Sequence, residues 1–157
     1  MYSKTIRMNI KDAIKQSSFL NEFQKAMINL LFTQGWLKDR IGAQLKPYGI
    51  TMQQYNVLRI LNGQYPRGIT TSDIRDRMID KMSDASRLVD RLERMQLVEK
   101  KKNIDDRRLV AVTLTPKGVD LVERIRESES KNHSFIKNLT EEEAKTLNIL
   151  LDKIRKE

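Results

Sequence analysis

The spacing between apolar residues changes near residue 97, and this change constrains the fold more than any other feature of the sequence. In residues 83–95 apolar residues recur every three or four positions, which is typical of a helix with one buried side. These residues are Ala85, Leu88, Val89, Leu92 and Met95. Residues 97–102 and 109–114 instead follow a spacing of two, which predicts two β-strands. Residues 103–108 between them are too many and too charged for a tight turn, so we expect a projecting loop.

The opposite side of the helix predicted at residues 83–95 is polar. It carries Ser83, Ser86, Arg87, Asp90, Arg91 and Arg94. One side of this helix can therefore pack against a core, while the other side is free to contact a partner.

Most of the remaining sequence has helical spacing. Residues 9–45 are predicted to form one long helix, which Pro47 ends. Further helices should start at threonines in N-cap positions, and these are Thr51, Thr70, Thr115 and Thr140. Gln54 and Glu143 lie three residues after the first and last of them, the spacing of a capping box. We therefore expect a mainly α-helical fold with a small antiparallel β-hairpin.

The net charge of +9 favours a polyanionic partner, although a merely basic surface would give the same value. The charge is uneven along the chain. Residues 118–157 hold eight basic and nine acidic side chains, so the positive charge lies in the first three quarters of the sequence. Charge alone does not choose between these two interpretations.

Several classes of protein are excluded by composition. The sequence has no cysteine, which excludes disulfides, thiol nucleophiles and cysteine-based redox sensing. His133 is the single histidine, and Glu141, Glu142 and Glu143 fit a capping run better than a metal cage. No glycine-rich phosphate loop or nucleophile elbow is present. We expect no enzyme activity, no metal and no cofactor.

The location of the protein is also constrained. No run of eighteen apolar residues is present, so we expect no membrane span. Residues 1–15 are polar and basic and lack the apolar segment of a signal peptide. We therefore expect a cytoplasmic protein.

The predicted order of elements is helix, short helix, amphipathic helix, strand, basic loop and strand, which is that of a winged helix-turn-helix. A helix about 10–12 Å wide can enter the major groove of DNA, which is roughly 12 Å wide. Such a helix needs one anchored side and one side with short hydrogen-bonding groups and arginines, as residues 83–95 provide. A basic loop held by two strands can reach phosphates or the adjacent minor groove.

Three segments then give a specific resemblance. Residues 86–93 read SRLVDRLE, Leu97-Val98 follows, and residues 106–118 read DRRLVAVTLTPKG. This pattern resembles the MarR family of bacterial regulators, whose wing has an Asp-x-Arg motif followed by Leu-Thr-x-x-Gly. The resemblance covers the whole chain.

The resemblance implies a single winged-helix domain over residues 1–157, a homodimer and a pseudo-palindromic double-stranded DNA operator. The DNA-reading lobe would span about residues 50–117. The dimerisation helices would span about residues 9–46 and 118–157. The helix starting near Ser83 would be the recognition helix.

Eight residues are candidates for contact with DNA. They are Ser83, Asp84, Ser86, Arg87, Arg91, Asp106, Arg107 and Arg108. By resemblance, the family's wing arginine corresponds to Arg108, and Asp106 helps to hold the wing's shape. Gln96 departs from the family, which usually has glycine there, and a left-handed backbone at that position would cost about 1 kcal/mol.

Each candidate has an ordinary alternative. The serines are alternatively caps or surface residues, and Asp84 fits a helix start at least as well as a base contact. Arg87 could pair with Asp84 or Asp90, and Arg91 with Asp90. The lysines at 100–102 are typical of a solvated strand edge, with phosphate contact as the alternative.

Many relatives respond to small phenolic or lipophilic molecules, so a small-molecule effector is a further expectation from the resemblance. Residues that could line its cleft, or belong to the core instead, are Met27, Phe32, Trp36, Met52 and Tyr55. The leading hypothesis is a ligand-responsive repressor. The alternatives are a winged-helix protein-interaction module and an architectural DNA binder with little sequence preference.

Overall fold

The computed structural model describes residues 9–102, 110–131 and 137–156. The chain divides into two compact units, residues 1–41 and residues 42–157. The described helices are α1 (Ile10–Ile14), α2 (Glu22–Leu45), α3 (Met52–Asn62), α4 (Thr71–Arg77), α5 (Ala85–Arg94), α6 (Pro116–Lys131) and α7 (Glu141–Ile154), with a short 3₁₀ helix at Lys46–Tyr48. The described strands are β1 (Ile69–Thr70), β2 (Val98–Lys102) and β3 (Val110–Leu114). None of these helices is both long enough and apolar enough to cross a membrane.

The single long helix predicted for residues 9–45 is wrong, because the chain leaves the helical conformation between α1 and α2. Lys15 closes α1 with a left-handed backbone, at φ 54°. Before α2, the Oδ1 atom of Asn21 accepts a hydrogen bond of 2.9 Å from the amide of Gln24. The side-chain Oε1 of Gln24 accepts one of 2.7 Å from the amide of Leu20. Such local side-chain bonds compete with helical backbone bonds and start a new helix instead.

The predicted capping boxes are confirmed. Both bonds of the box are present at Thr51 with Gln54 and at Thr140 with Glu143. A third box joins Thr70 and Asp73 at the start of α4. The hydrogen bonds from Thr70 hold the pKa of the Asp73 carboxyl below its usual value. Local sequence therefore sets these helix starts.

The three strands form one antiparallel sheet in the order β1–β3–β2. The predicted hairpin is confirmed, with Val98 opposite Leu114 and Lys102 opposite Val110. The third strand, β1, was not predicted; it pairs Ile69 with Val112. The fold is thus mainly helical with a small antiparallel sheet, as expected from the sequence.

The core of residues 42–157 forms where α3 meets α4, α5 and α6. Side chains with no exposed surface come from each of these helices and from β3, and they are Val57, Leu58, Ile74, Val89, Leu92, Val112, Val122 and Ile125. Each such aliphatic side chain contributes about 1.5–3 kcal/mol on burial. The apolar side of α5 is therefore fixed in the core.

Candidate nucleic-acid interface

Helix α5 is held at both ends by local hydrogen bonds. At its start, Asp84 Oδ1 accepts a bond of 3.1 Å from the amide of Arg87. At its end, the amide of Gln96 donates to the carbonyl of Glu93 and that of Leu97 to the carbonyl of Leu92, at 2.8 and 3.0 Å. These two bonds form a Schellman motif, which requires a left-handed residue at Gln96.

Gln96 does have a left-handed backbone, with φ 60°. The MarR family usually has glycine at this position, and the sequence alone left open whether the backbone here is left-handed. A side chain there costs about 1 kcal/mol. The turn nevertheless forms, because the apolar side of α5 before it is buried, as are Leu97 and Val98 after it.

The outer side of α5 presents exposed polar groups. Ser86, Arg87 and Arg91 are all exposed. Arg87 pairs with Asp84 at 3.2 Å, but both side chains are more than half exposed, so the pair is weak. Arg91 has no ion-pair partner among the described residues, although pairing with Asp90 was one of its predicted alternatives. Its guanidinium group is thus available to an outside ligand.

Ser83 and Asp84 are already engaged within the chain. The hydroxyl of Ser83 donates to Asp80 Oδ2 at 2.8 Å. Asp84 is the N-cap of α5, which is the alternative to a base contact that the sequence offered for it. Contact of either residue with DNA stays a prediction.

The turn between α4 and α5 holds features that the sequence analysis missed. The amide of Ile79 donates to Asn56 Oδ1 at 2.9 Å, which ties the turn to α3. Met78 is buried in the core, whereas Ile79 and Met82 are almost fully exposed. The turn therefore has a fixed position directly ahead of α5.

Lys100 lies on β2 but binds α5. Its Nζ atom is 2.6 Å from Asp90 Oδ1 and 2.9 Å from Glu93 Oε2. The hydrogen bond from Lys100 holds the pKa of Asp90 below its usual value, and the two carboxylates raise the pKa of Lys100. Lys100 is an exposed residue of an edge strand, as the sequence predicted, but two carboxylates of α5 bind its ammonium group. The sequence did indicate that Lys100 faces α5, because a spacing of two puts it on the same side of the strand as the buried Val98.

The predicted wing residues Asp106, Arg107 and Arg108 lie outside the described residues. The strands that flank them are described, and they pair as far as Lys102 and Val110. The two strand ends therefore face each other at the point where the predicted loop leaves the sheet.

A cavity of about 410 Å³ lies between the 3₁₀ helix, the end of α5 and α6. Its lining residues are Pro47, Tyr48, Met95, Leu97, Lys117, Asp120, Leu121 and Arg124. The Arg124 guanidinium lies 5.8 Å from the centre of the Tyr48 ring. Lys117 donates to the carbonyl of Met95 at 2.9 Å. The cavity thus combines apolar walls with two cationic side chains and one carboxylate, that of Asp120, which lies 3.7 Å from Arg124.

The residues predicted to line an effector cleft do not line this cavity. Tyr55 belongs to the core of residues 42–157, where burial, with a smaller effect from the Glu129 carboxylate, raises its pKa to about 12. Trp36 stacks with Arg40 on α2 at 4.5 Å. Their role in an effector cleft stays a prediction.

The arrangement is suited to binding an anionic polymer. An anchored helix offers arginine and serine side chains outward, and a two-stranded hairpin follows it. Over residues 9–102, 110–131 and 137–156, no cluster of three His, Cys, Asp or Glu residues could hold a metal ion. Arginine and hydroxyl groups of this kind bind phosphates and base edges.

Comparison with known proteins agrees with this geometry. Residues 50–118 match the family model of a winged helix DNA-binding domain. The multiple antibiotic resistance protein MarR of Salmonella typhimurium is 31% identical over 128 residues, which cover 80% of this chain and 88% of that protein.

Two solved structures are similar over most of the chain. A cysteine-to-serine variant of MarR from E. coli, complexed with operator DNA, has a TM-score of 0.71 and 29% identity, covering 89% of this chain and 100% of that one. A MarR transcription factor from Planctomyces limnophilus has a TM-score of 0.63 and 29% identity, covering 86% of this chain and 98% of that one. With a helix-turn-helix, an anchored α5 and a following hairpin, this chain belongs to the MarR family of winged-helix DNA-binding transcription regulators.

Proposed function

We propose that this regulator is a homodimeric, ligand-responsive repressor that reads a pseudo-palindromic operator with α5 in the major groove. The observation that carries the proposal is Arg91. It is exposed and without an ion-pair partner among the described residues, on a helix whose other side is buried. A free guanidinium on an anchored helix can bind a phosphate or the O6 and N7 atoms of guanine.

The neighbouring groups extend this surface. Arg87 can leave its exposed pair with Asp84 for a phosphate, because a surface ion pair contributes only about 0–1 kcal/mol. Ser86 directly precedes Arg87 in the first turn of α5 and can donate to a phosphate or a base edge. We propose that Asp106, Arg107 and Arg108 form the wing, with Arg108 in contact with DNA.

The proposed homodimer accounts for apolar surface that one chain leaves uncovered. No side chain of the fourteen-residue helix α7 is buried. Leu147, Leu150 and Ile154 are exposed and share one side of it. Short helices are marginal in water without a packed apolar side. A second copy of the chain would supply that packing.

Helix α2 gives the same argument independently. Leu45 is the single buried side chain among its 24 residues. Exposed large apolar side chains along it include Phe23, Met27 and Leu31. Exposed apolar surface of this extent marks an interface.

We expect Leu150→Glu to weaken the dimer about 30-fold, which corresponds to about 2 kcal/mol, because it places a charge in an apolar interface. Sedimentation equilibrium of the full chain measures this change. Asn148→Glu adds the same charge off the apolar stripe of α7 and is the matched control. Equal dimerisation of the two variants would contradict an α7 interface.

The cavity beside α5 supports the proposed response to a ligand. Its volume of about 410 Å³ is within the range of small-molecule sites, about 300–1,000 Å³. Met95 and Leu97 in its wall follow α5 directly, so a bound molecule would press on the end of that helix. A dimer binds two half-sites about 34 Å apart, so a small rotation of its two α5 helices would move both of them out of register with the operator.

The test is fluorescence anisotropy with DNA from upstream of the protein's own gene and a shuffled duplex of equal length, at several salt concentrations. We expect nanomolar, saturable binding to the native fragment, roughly 1,000-fold tighter than to the shuffled duplex. Equal, steeply salt-dependent binding to both would indicate an architectural DNA binder. Absence of binding would favour a protein-interaction module.

A further inference from the structure

Helix α5 carries two carboxylates near the side that is proposed to approach DNA, Asp90 on that side and Glu93 at its edge. Asp90 and Glu93 lie three residues apart, so they occupy neighbouring positions on the helix. Each is partly exposed, with 54% and 41% of its side-chain surface accessible. Left unpaired, these two negative charges would repel nearby phosphates.

Lys100 lies between these carboxylates and fixes both. Its Nζ atom donates to Asp90 at 2.6 Å and lies 2.9 Å from Glu93. The Lys100 side chain is 31% exposed, about half the exposure of the Lys101 side chain next to it. An ammonium group has three hydrogens, and two are taken by this contact. Lys100 is therefore poorly placed to serve a phosphate as well.

The backbone of Lys100 is also fixed. Lys100 pairs with Val112 of β3, and Val112 has no exposed surface. The hydrogen bond to Asp90 joins residues ten positions apart, so it ties the hairpin directly to α5. The Lys100 side chain thus adds a direct polar link between two parts of the proposed DNA surface that also share the buried core.

We propose that Lys100 is a positioning residue for DNA binding: it neutralises Asp90 and Glu93 and holds the hairpin against α5, without contacting DNA. This inference rests on the proposed use of α5 to bind DNA. The rival role for a lysine on this strand is direct contact with a phosphate. The two roles differ in what the carboxylates do when Lys100 is lost.

The experiment compares Lys100→Met with the triple variant Lys100→Met/Asp90→Asn/Glu93→Gln. Methionine keeps an unbranched apolar stem and removes the charge together with the three ammonium donors. We expect Lys100→Met to weaken binding to the native upstream fragment about tenfold at 0.1 M salt. The affinity of the triple variant for this fragment should be within about threefold of that of the original chain, because the unpaired carboxylates are gone. Lys145→Met is the matched control, since Lys145 likewise pairs with two carboxylates, Glu141 and Glu142, but on α7.

Three results would overturn the inference. A phosphate contact predicts that the triple variant still binds weakly and that the slope of log Kd against log salt falls by about 2, which is about 1 for each chain of the dimer. Unchanged affinity of Lys100→Met would show that the lysine is dispensable. Failure of the original chain to bind either duplex would contradict both the proposed function and this inference. Because the original chain is titrated beside the variants, that failure can be told apart from a failure of this inference alone. Thermal unfolding of each variant separates lost folding from lost binding.

Discussion

Gly118→Ala should lower the free energy of unfolding by about 3 kcal/mol, at the upper end of the cost of overpacking a core. A Cβ atom at this position would lie 2.1 Å from the carbonyl oxygen of Leu97 and 3.3 Å from Cδ2 of Leu114. The Leu97 carbonyl has little freedom to move, because it accepts a bond of 3.1 Å from the amide of Thr115. Helix α6 would have to shift away from the segment that joins α5 to β2.

Urea denaturation at one fixed protein concentration measures the change, since the stability of a dimer depends on concentration. Gly42→Ala is the matched control, because nothing lies within 4 Å of its added Cβ. Alanine in that helical position should stabilise by about 0.5–1 kcal/mol. A free energy of unfolding of Gly118→Ala within about 1 kcal/mol of that of the original chain would contradict this prediction, because it would show that α6 can shift at little cost.

Arg91→Ala should weaken operator binding by about 1–3 kcal/mol for each chain, because one arginine contact is lost at every half-site. A dimer loses two such contacts, so the total effect is about 2–6 kcal/mol, which is about 30-fold or more. Anisotropy with the native upstream fragment and the shuffled duplex measures it. Arg155→Ala removes the same charge from the end of α7 and should change affinity little.

The charge-conserving variant identifies what Arg91 binds. Arg91→Lys should keep most of the affinity if the partner is a phosphate, because a lysine supplies the same point charge. It should lose discrimination between the two duplexes if the partner is a guanine edge, because lysine lacks the planar fork that makes two parallel bonds. Unchanged binding of Arg91→Ala would instead remove α5 from the proposed interface.

Much of the fold follows from local sequence. The spacing of three and four residues marked α3, α5 and α6, since each buries one side. The capping boxes at Thr51 and Thr140 were readable because their donors and acceptors lie three residues apart. The two strands of the hairpin were readable for a similar reason, because their alternation is a property of each strand alone.

Elements that depend on distant partners could not be predicted from the sequence. Strand β1 has two residues, too few for a periodic pattern, and it exists because β3 pairs with it. The break after α1 depends on the left-handed Lys15 and on hydrogen bonds of single side chains, which the apolar periodicity does not register.

The candidate site divides in the same way. The sequence by itself determined which residues lie on the outer side of α5, because helix geometry fixes that arrangement. Only the tertiary structure decided which charges stay available. Asp90 is bound by Lys100 of β2, ten residues away, whereas Arg91 has no ion-pair partner in the part of the chain that the structure describes. The pairing of charges depends on distances of a few ångströms between separate elements, and such distances exist only once the core has brought those elements together.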